Sequence, residues 1–168
     1  MFKIGDKVTT KNYGVCVIET IEERVFGTEK KQYFVLGSLY ENLFLSNVKI
    51  YILIDKAEEQ MRHVLSKADV LSLIETFNDI EPIVISEFRA RRNVFEELYK
   101  TGDIEKHCQL IKSLYLMDYE LRSKKKTLSI KDKEYFEKIK KFVYDEFANA
   151  LEISPQEVES FVNEKMDN

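Results

Sequence analysis

The stretch FKIGDKVTTKNYGVCVIETIEER, residues 2–24, decides the fold of the N-terminal part of the chain. Gly5-Asp6 and Asn12-Tyr13-Gly14 are turn signals, and the valine, isoleucine and threonine residues around them favour strands. Nothing similar recurs in the rest of the 168 residues, where lysine, glutamate and leucine dominate. The pattern predicts short antiparallel strands at the start of an otherwise helical protein.

Further strands are predicted outward from this stretch. We expect strands at residues 8–10, 15–25, 32–36, 40–45 and 49–54, the last two forming a hairpin around Ser46-Asn47. Short antiparallel strands packed so closely along the chain are typical of a small SH3/Tudor-like β-barrel.

After residue 55 the apolar residues recur at helical spacing. Helix starts are expected at Ser66 and Ser129, each with an aspartate three residues later, and at Ser154, which precedes a proline and a glutamate. Two more helices are expected to begin near Ser86 and after Asp103.

The sequence therefore predicts an α+β chain of two domains. We assign residues 1–55 to the β-barrel, 56–65 to a junction, and 66–168 to an all-α helical bundle.

Composition and spacing exclude several classes of function. We see no signal peptide and no apolar run near the roughly 20 residues of a membrane span, so we expect a cytoplasmic protein without a membrane partner. Cys16 and Cys108 fall in different predicted domains, which argues against a disulfide. His107 and Cys108 are neighbours on a predicted helix and do not face each other, so we interpret them as a core cysteine beside a surface histidine. No catalytic set, metal-ligand spacing or cofactor motif is present, and we do not expect an enzyme.

Several segments, in order, resemble the CarD/CdnL family of bacterial transcription regulators. FKIGDKV, Tyr13-Gly14-Val15 and YFVL at residues 33–36 are similar to its N-terminal module, which the transcription-repair coupling factor shares. DKAEEQMR at 55–62, ELYKTGD at 97–103 and FANALEISPQEVE at 147–159 are similar to the segments that follow.

The resemblance implies a Tudor-like domain that binds the RNA polymerase β subunit, largely by pairing a strand edge with the partner. Arg24 falls where family members carry an arginine that reaches the β subunit; the alternative is a solvated residue at the end of a hairpin. The expected polymerase-binding residues are Arg24, Tyr33, Val35 and Tyr51.

The resemblance also implies that the helical domain contacts promoter DNA and stabilises the open complex. We expect this contact to be weak without the polymerase, because charge elsewhere is balanced and the C-terminal tail is acidic, and non-specific, because no recognition helix is apparent. Basic side chains can neutralise phosphates, although lysine runs are more often solvated loops. Family members that open promoters use a tryptophan as a wedge, whereas this chain has none, and Phe88 is either its replacement or a core residue. The expected DNA-binding residues are Phe88, Arg89, Arg91, Arg92, Lys124, Lys125 and Lys126.

Two functions remain open at this point. The first is a transcription regulator that binds the polymerase β subunit and promoter DNA, and the alternative is a protein–protein adaptor that does not contact DNA. We expect a monomer, with a strand-swapped dimer as the alternative because an edge strand can pair with itself.

Overall fold

The computed structural model describes residues 1–40 and 48–166. The chain divides into two compact units, Met1–Val64 and Leu65–Asn168. The first contains an antiparallel sheet and the second contains helices, which confirms the predicted fold class.

In the described part of the first unit the sheet has five strands in the order β4-β3-β2-β1-β5, and each pairs antiparallel with its neighbours. Glycines with positive φ make the two tight turns, Gly14 (φ 71°) after β1 and Gly27 (φ 63°) between β2 and β3. The strands are β1 Lys7–Thr10, β2 Gly14–Phe26, β3 Glu29–Ser38, β4 Ile50–Leu53 and β5 Met61–His63.

The fifth strand does not come from the segment that the sequence suggested. The strand expected at 40–45 falls largely on residues 41–47, which lie outside the described residues, as does its turn at Ser46-Asn47. The described sheet instead gains β5, in which Met61 pairs with Thr10 and His63 with Val8. Residues that the sequence assigned to a junction thus form an edge strand of the first unit.

One face of this sheet forms a hydrophobic core, together with the N-terminal Phe2 and the single-turn helix α1, Ala57–Gln60. Burial raises the pKa of the Cys16 thiol to about 11, so the thiol stays protonated. Both cysteines are buried and free, as the prediction of no disulfide requires. The core residues are Phe2, Val8, Cys16, Ile18, Phe34, Leu36, Ile50, Ile52, Ala57 and Met61.

Within the described residues, the second unit has five α-helices: α2 Lys67–Glu75, α3 Phe88–Lys100, α4 Ile104–Ser123, α5 Ile130–Leu151 and α6 Pro155–Met166. Ser66 and Ser154 form the expected reciprocal caps with Asp69 and Glu157. The helix expected near Ser86 begins at Phe88, because Glu87 caps it by accepting hydrogen bonds from the amides of Arg89 and Ala90.

Helix α5 provides the centre of this unit. Nine of its residues are buried, including Ile139, Val143 and Phe147, which are fully covered. Glu146 is also fully buried, and its carboxylate accepts a hydrogen bond from the Leu65 amide at 3.0 Å. This bond fixes the first residue of the unit to its central helix.

The interpretation of His107 as a surface residue was wrong. The ring is fully buried, with Nε2 2.9 Å from the Tyr99 carbonyl oxygen. It stacks on Tyr99 at 5.2 Å and meets Phe142 edge-on at 4.8 Å, both between ring centroids. Cys108 is buried as expected, and burial raises its pKa far above the ordinary thiol value. Both residues therefore belong to the core.

The cap of α6 gives a stability prediction. Hydrogen bonds from the Ser154 amide and hydroxyl hold the pKa of Glu157 below its ordinary value, while the Glu157 amide donates to Ser154 Oγ at 3.2 Å. We expect Ser154→Ala to lower the free energy of unfolding by about 1 kcal/mol in urea denaturation. Ser160→Ala is the control because Ser160 lies inside the same helix, where its hydroxyl bonds only the Gln156 carbonyl. Equal effects of the two substitutions would contradict a capping role.

Candidate functional site

The long hairpin β2–β3 extends beyond the rest of the sheet. Strand β1 pairs with residues 14–17 of β2, and β4 pairs with residues 33–36 of β3. Beyond these positions the two strands pair only with each other, as far as the turn at Gly27. Within the described residues, no strand covers the other edge of β2 from Glu19 to Phe26, so its backbone is available to a partner strand.

A β-bulge at Glu19 sets which side chains share a face of this hairpin. The register shifts between Ile18 and Thr20, so Ile18 stays in the core. From Thr20 on, every second side chain of β2 lies on the face opposite the core, and Arg24 and Phe26 are among them.

Three of the four residues expected to bind the polymerase lie together on that face. The Arg24 guanidinium carbon is 3.8 Å from the centroid of the Tyr51 ring, a cation–π contact. Tyr51 meets Tyr33 edge-on at 6.5 Å, and Tyr33 meets Phe26 edge-on at 6.4 Å. We call these four residues, Arg24, Phe26, Tyr33 and Tyr51, the hairpin face.

Val35, the fourth expected residue, is only 2% exposed. It pairs with Thr20 on one side and with Tyr51 on the other, so both its side chain and its backbone are occupied. In the folded chain Val35 can support Tyr51 from the strand beside it, but it offers little surface to a partner.

Sequence reasoning did not include Phe26 in the site. It is 57% exposed, and its neighbour Val25 is 61% exposed, next to the turn at Gly27. Two large apolar residues beside a turn, where polar residues are usual, were the signal that could have identified this tip.

In the helical unit, Arg91 joins the first turns of α3 and α5. Its guanidinium is 3.1 Å from the Asp132 carboxylate and donates to the carbonyls of Ile85 (3.0 Å) and Ser86 (3.3 Å). The Arg91 side chain is only 11% exposed. Arg91, one of the residues expected to contact DNA, therefore has its charge paired and both its terminal nitrogens hydrogen-bonded within the protein.

Phe88, Arg89 and Arg92, the other residues expected to contact DNA at the start of α3, are accessible. Phe88 is 39% exposed, and the Arg91 guanidinium lies 5.6 Å from its ring centroid. Arg92 is exposed and pairs with Glu96 one turn further on at 3.1 Å. Arg89 is exposed and has no salt bridge in the part of the chain that the structure describes.

The lysine cluster occupies the loop between α4 and α5. Lys124 pairs with Glu120, and this hydrogen bond and charge lower the pKa of the glutamate. Lys125 has a left-handed backbone (φ 57°), and the Lys126 amide donates to the Leu121 carbonyl, so the loop turns sharply. Lys125 and Lys126 are exposed, with no salt bridge among the described residues.

The fold brings the two basic clusters to one end of the helical unit. Arg91 and Asp132 hold the start of α3 against the start of α5, and the lysine loop leads directly into α5. We call this region the basic end; it comprises Phe88, Arg89, Arg92, Lys124, Lys125 and Lys126.

Other classes of site are missing from the described part of the chain. Residues 1–40 and 48–166 contain no group of three or more His, Cys, Asp or Glu placed to hold a metal ion. None of the helices in these segments is long and apolar enough to cross a membrane.

Comparison with known proteins gives matches over nearly the whole chain. Residues 2–65 match the family model described as CarD-like/TRCF RID domain, and residues 70–163 match the model described as CarD, C-terminal domain. A Bacillus subtilis (strain 168) protein named "Putative transcription factor YdeB" is 25% identical over 162 residues, which cover 96% of this chain and 99% of the relative.

The two neighbouring arginines should differ in their effect on stability. Arg91→Ala leaves a largely buried Asp132 without its partner, so we expect the free energy of unfolding to fall by about 2–3 kcal/mol. Arg89→Ala removes an exposed side chain and should change it by less than about 0.5 kcal/mol. Urea denaturation of the full chain measures both. A small effect of Arg91→Ala would contradict the structural role.

Proposed function

Since the chain belongs to the CarD family of transcription factors, we propose that it binds the RNA polymerase β subunit through the hairpin face and promoter DNA through the basic end. The match of residues 2–65 to the RID domain carries this proposal, because the RID domain is an RNA polymerase-interacting domain. The protein acts by binding rather than by catalysis, in the cytoplasm where the polymerase works.

The chemistry of the hairpin supports a protein partner. The uncovered edge of β2 can add a strand from the partner through main-chain hydrogen bonds. Beside it, Arg24, Tyr33 and Tyr51 are residue types that supply much of the binding energy at protein interfaces. Val35 takes a supporting role in this proposal because it is buried beside Tyr51 on the neighbouring strand.

The basic end supports a second, weaker contact with promoter DNA. Arg89, Lys125 and Lys126 have exposed charges without a carboxylate partner in the described structure, so phosphates can replace only water and counterions there. Arg92 and Lys124 would first have to leave Glu96 and Glu120. These carboxylates weaken the field of the basic end, and the contact becomes effective once the polymerase holds the protein near DNA.

Phe88 takes the place of the missing tryptophan wedge in this proposal. Its ring lies at the start of α3 among the residues of the basic end, and more than a third of its surface is exposed. An exposed aromatic ring next to phosphate-binding side chains is suited to unstacking a base step in the minor groove. The protein would then favour the promoter state in which both surfaces are engaged.

The polymerase contact is tested by reversing a single charge on the hairpin face. We expect Arg24→Glu to weaken binding of the full chain to the polymerase β-subunit lobe by about 2 kcal/mol, or roughly 30-fold, in calorimetry. Lys30→Glu is the matched control. Lys30 lies opposite Val25 in the β2–β3 register, and its side chain is therefore on the other side of the sheet from the hairpin face. Unchanged binding by Arg24→Glu would remove the hairpin face from the proposal, and equal losses would indicate a general effect of charge.

The DNA contact is tested by its dependence on salt. With polymerase present, we expect the double substitution Lys125→Ala and Lys126→Ala to reduce the slope of log affinity against log salt by about 2, since each phosphate contact contributes roughly one. Lys100→Ala with Lys106→Ala is the control, because these lysines lie where α3 ends and α4 begins, away from the basic end. A native affinity that does not change with salt would instead favour the adaptor function.

A further inference from the structure

A groove opens in the helical unit where the end of α2 meets the start of α4. Its volume is about 390 Å³, within the range of roughly 300–1,000 Å³ that is typical of ligand pockets. One wall comes from α2 and the turn after it, and the other comes from the first turns of α4. The lining includes Leu73, Asp79, Ile80, Glu105, Lys106 and Gln109.

Hydrogen bonds from α4 to the backbone that follows α2 hold the two walls together. The Lys112 ammonium donates to the carbonyl of Phe77 at 3.3 Å and also to that of Asn78. The Gln109 amide side chain donates to the Glu81 carbonyl at 3.0 Å. The Phe77 ring is fully buried, which anchors the turn from below. The groove is therefore formed before any partner binds.

The groove combines aliphatic side chains with carboxylates that have no cation. Leu73 and Ile80 are half-buried and supply the aliphatic part of the lining. Asp79 and Glu105 are exposed, and neither forms a salt bridge with another residue in the described segments 1–40 and 48–166. Lys106 balances only one of these two charges, so the lining keeps a net negative charge.

Two further carboxylates lie next to the groove. Asp103 caps α4 by accepting hydrogen bonds from the amides of Glu105, at 2.8 Å, and Lys106, at 3.3 Å, and its charge offsets the positive end of the helix dipole. Glu81 is exposed, and its backbone is bonded to Gln109 of the lining. These surroundings attract cations and repel the phosphates of nucleic acids.

We propose that this groove docks an arginine side chain of a protein partner. The aliphatic stem of an arginine can pack along Leu73 and Ile80 while its charged head stays at the surface. The planar guanidinium carries five N–H donors in a fixed fork, which suits two carboxylates such as Asp79 and Glu105 better than the point charge of a lysine does. Charge complementarity of this kind selects a basic segment of the partner. The inference does not depend on the proposed polymerase or DNA contacts.

The groove lies far from the basic end of the same unit. Glu105 is in the first turn of α4, and Lys124 follows the last residue of this helix. At a rise of 1.5 Å per residue, the two residues are separated by about 28 Å along the helix axis. An arginine in the groove and DNA at the basic end would therefore not compete for the same surface.

The test selects peptides from a phage-displayed library of random 12-residue peptides, with the full chain as the target. We expect the selected peptides to share an arginine. Replacing this arginine with alanine in a synthetic copy should weaken binding roughly 10- to 100-fold in fluorescence anisotropy, as expected for the loss of charge-assisted hydrogen bonds. Replacing it with lysine should weaken binding less, because the charge is kept and the fork is lost.

The variant that identifies the groove is Asp79→Asn with Glu105→Gln, because it removes both charges and keeps the size of two exposed side chains. It should weaken binding of the selected peptide by the same roughly 10- to 100-fold. Glu97→Gln with Glu152→Gln is the matched control. It makes the same change in net charge at exposed positions that do not line the groove, and it should keep the native affinity.

Four results would overturn the inference. Equal losses in the two double variants would show a dependence on net charge rather than on the groove. Native affinity in the groove variant would place the peptide elsewhere on the protein. Selection of peptides without arginine, or of none, would remove arginine docking. Equally tight binding of N-acetyl-arginine amide and of the selected peptide would indicate a site for a small free cation instead of a protein partner.

Discussion

The basic end depends on the ion pair between Arg91 and Asp132. The amino ends of α3 and α5 both carry partial positive charge from the helix dipole, so bringing them together is unfavourable unless carboxylates are present. Asp132 supplies the negative charge at the start of α5. Its carboxylate binds the Arg91 guanidinium and also accepts a hydrogen bond from the Ser129 hydroxyl at 2.8 Å. Glu87 supplies the negative charge at the start of α3. Hydrogen bonds from the amides of Ala90 and Arg89 hold the pKa of its carboxyl below the ordinary value. With both helix starts neutralised from within, the surface charge of the basic end comes from its exposed side chains.

In the first unit, a difference in length between two neighbouring strands determines which backbone stays uncovered. Strand β2 has thirteen residues, whereas its neighbour β1 has four. One edge of β2 from Glu19 to Phe26 is therefore left uncovered by the sheet. The bulge at Glu19 turns Arg24 and Phe26 to the face opposite the core, where Tyr33 and Tyr51 of the neighbouring strands also lie.

The sequence correctly predicted the elements whose structure is determined by residues close together in the chain. Caps such as Ser66 with Asp69 and Ser154 with Glu157 depend on residues three apart, and the helices begin there. Strand β5 could not be predicted in this way, because Met-Arg-His has little strand preference and pairs through contact with β1, more than fifty residues earlier. The roles of Arg89 and Arg91 could not be separated either, since only the position of Asp132, 41 residues after Arg91, assigns one to the interior. The same is true of His107, whose burial follows from Tyr99 and Phe142.

In the proposed function, the carboxylates around the basic end are the reason that a second binding surface is needed. A site dense in unpaired lysine and arginine would bind any DNA, because phosphate neutralisation carries no sequence information. Here Glu96, Glu120 and Glu134 each form an ion pair with a basic side chain, so we expect little affinity for DNA alone. A contact that is weak in isolation becomes effective when a second contact on the same chain raises the local concentration of DNA. In the proposed function, the charge balance of the basic end therefore makes DNA binding conditional on the partner of the hairpin face.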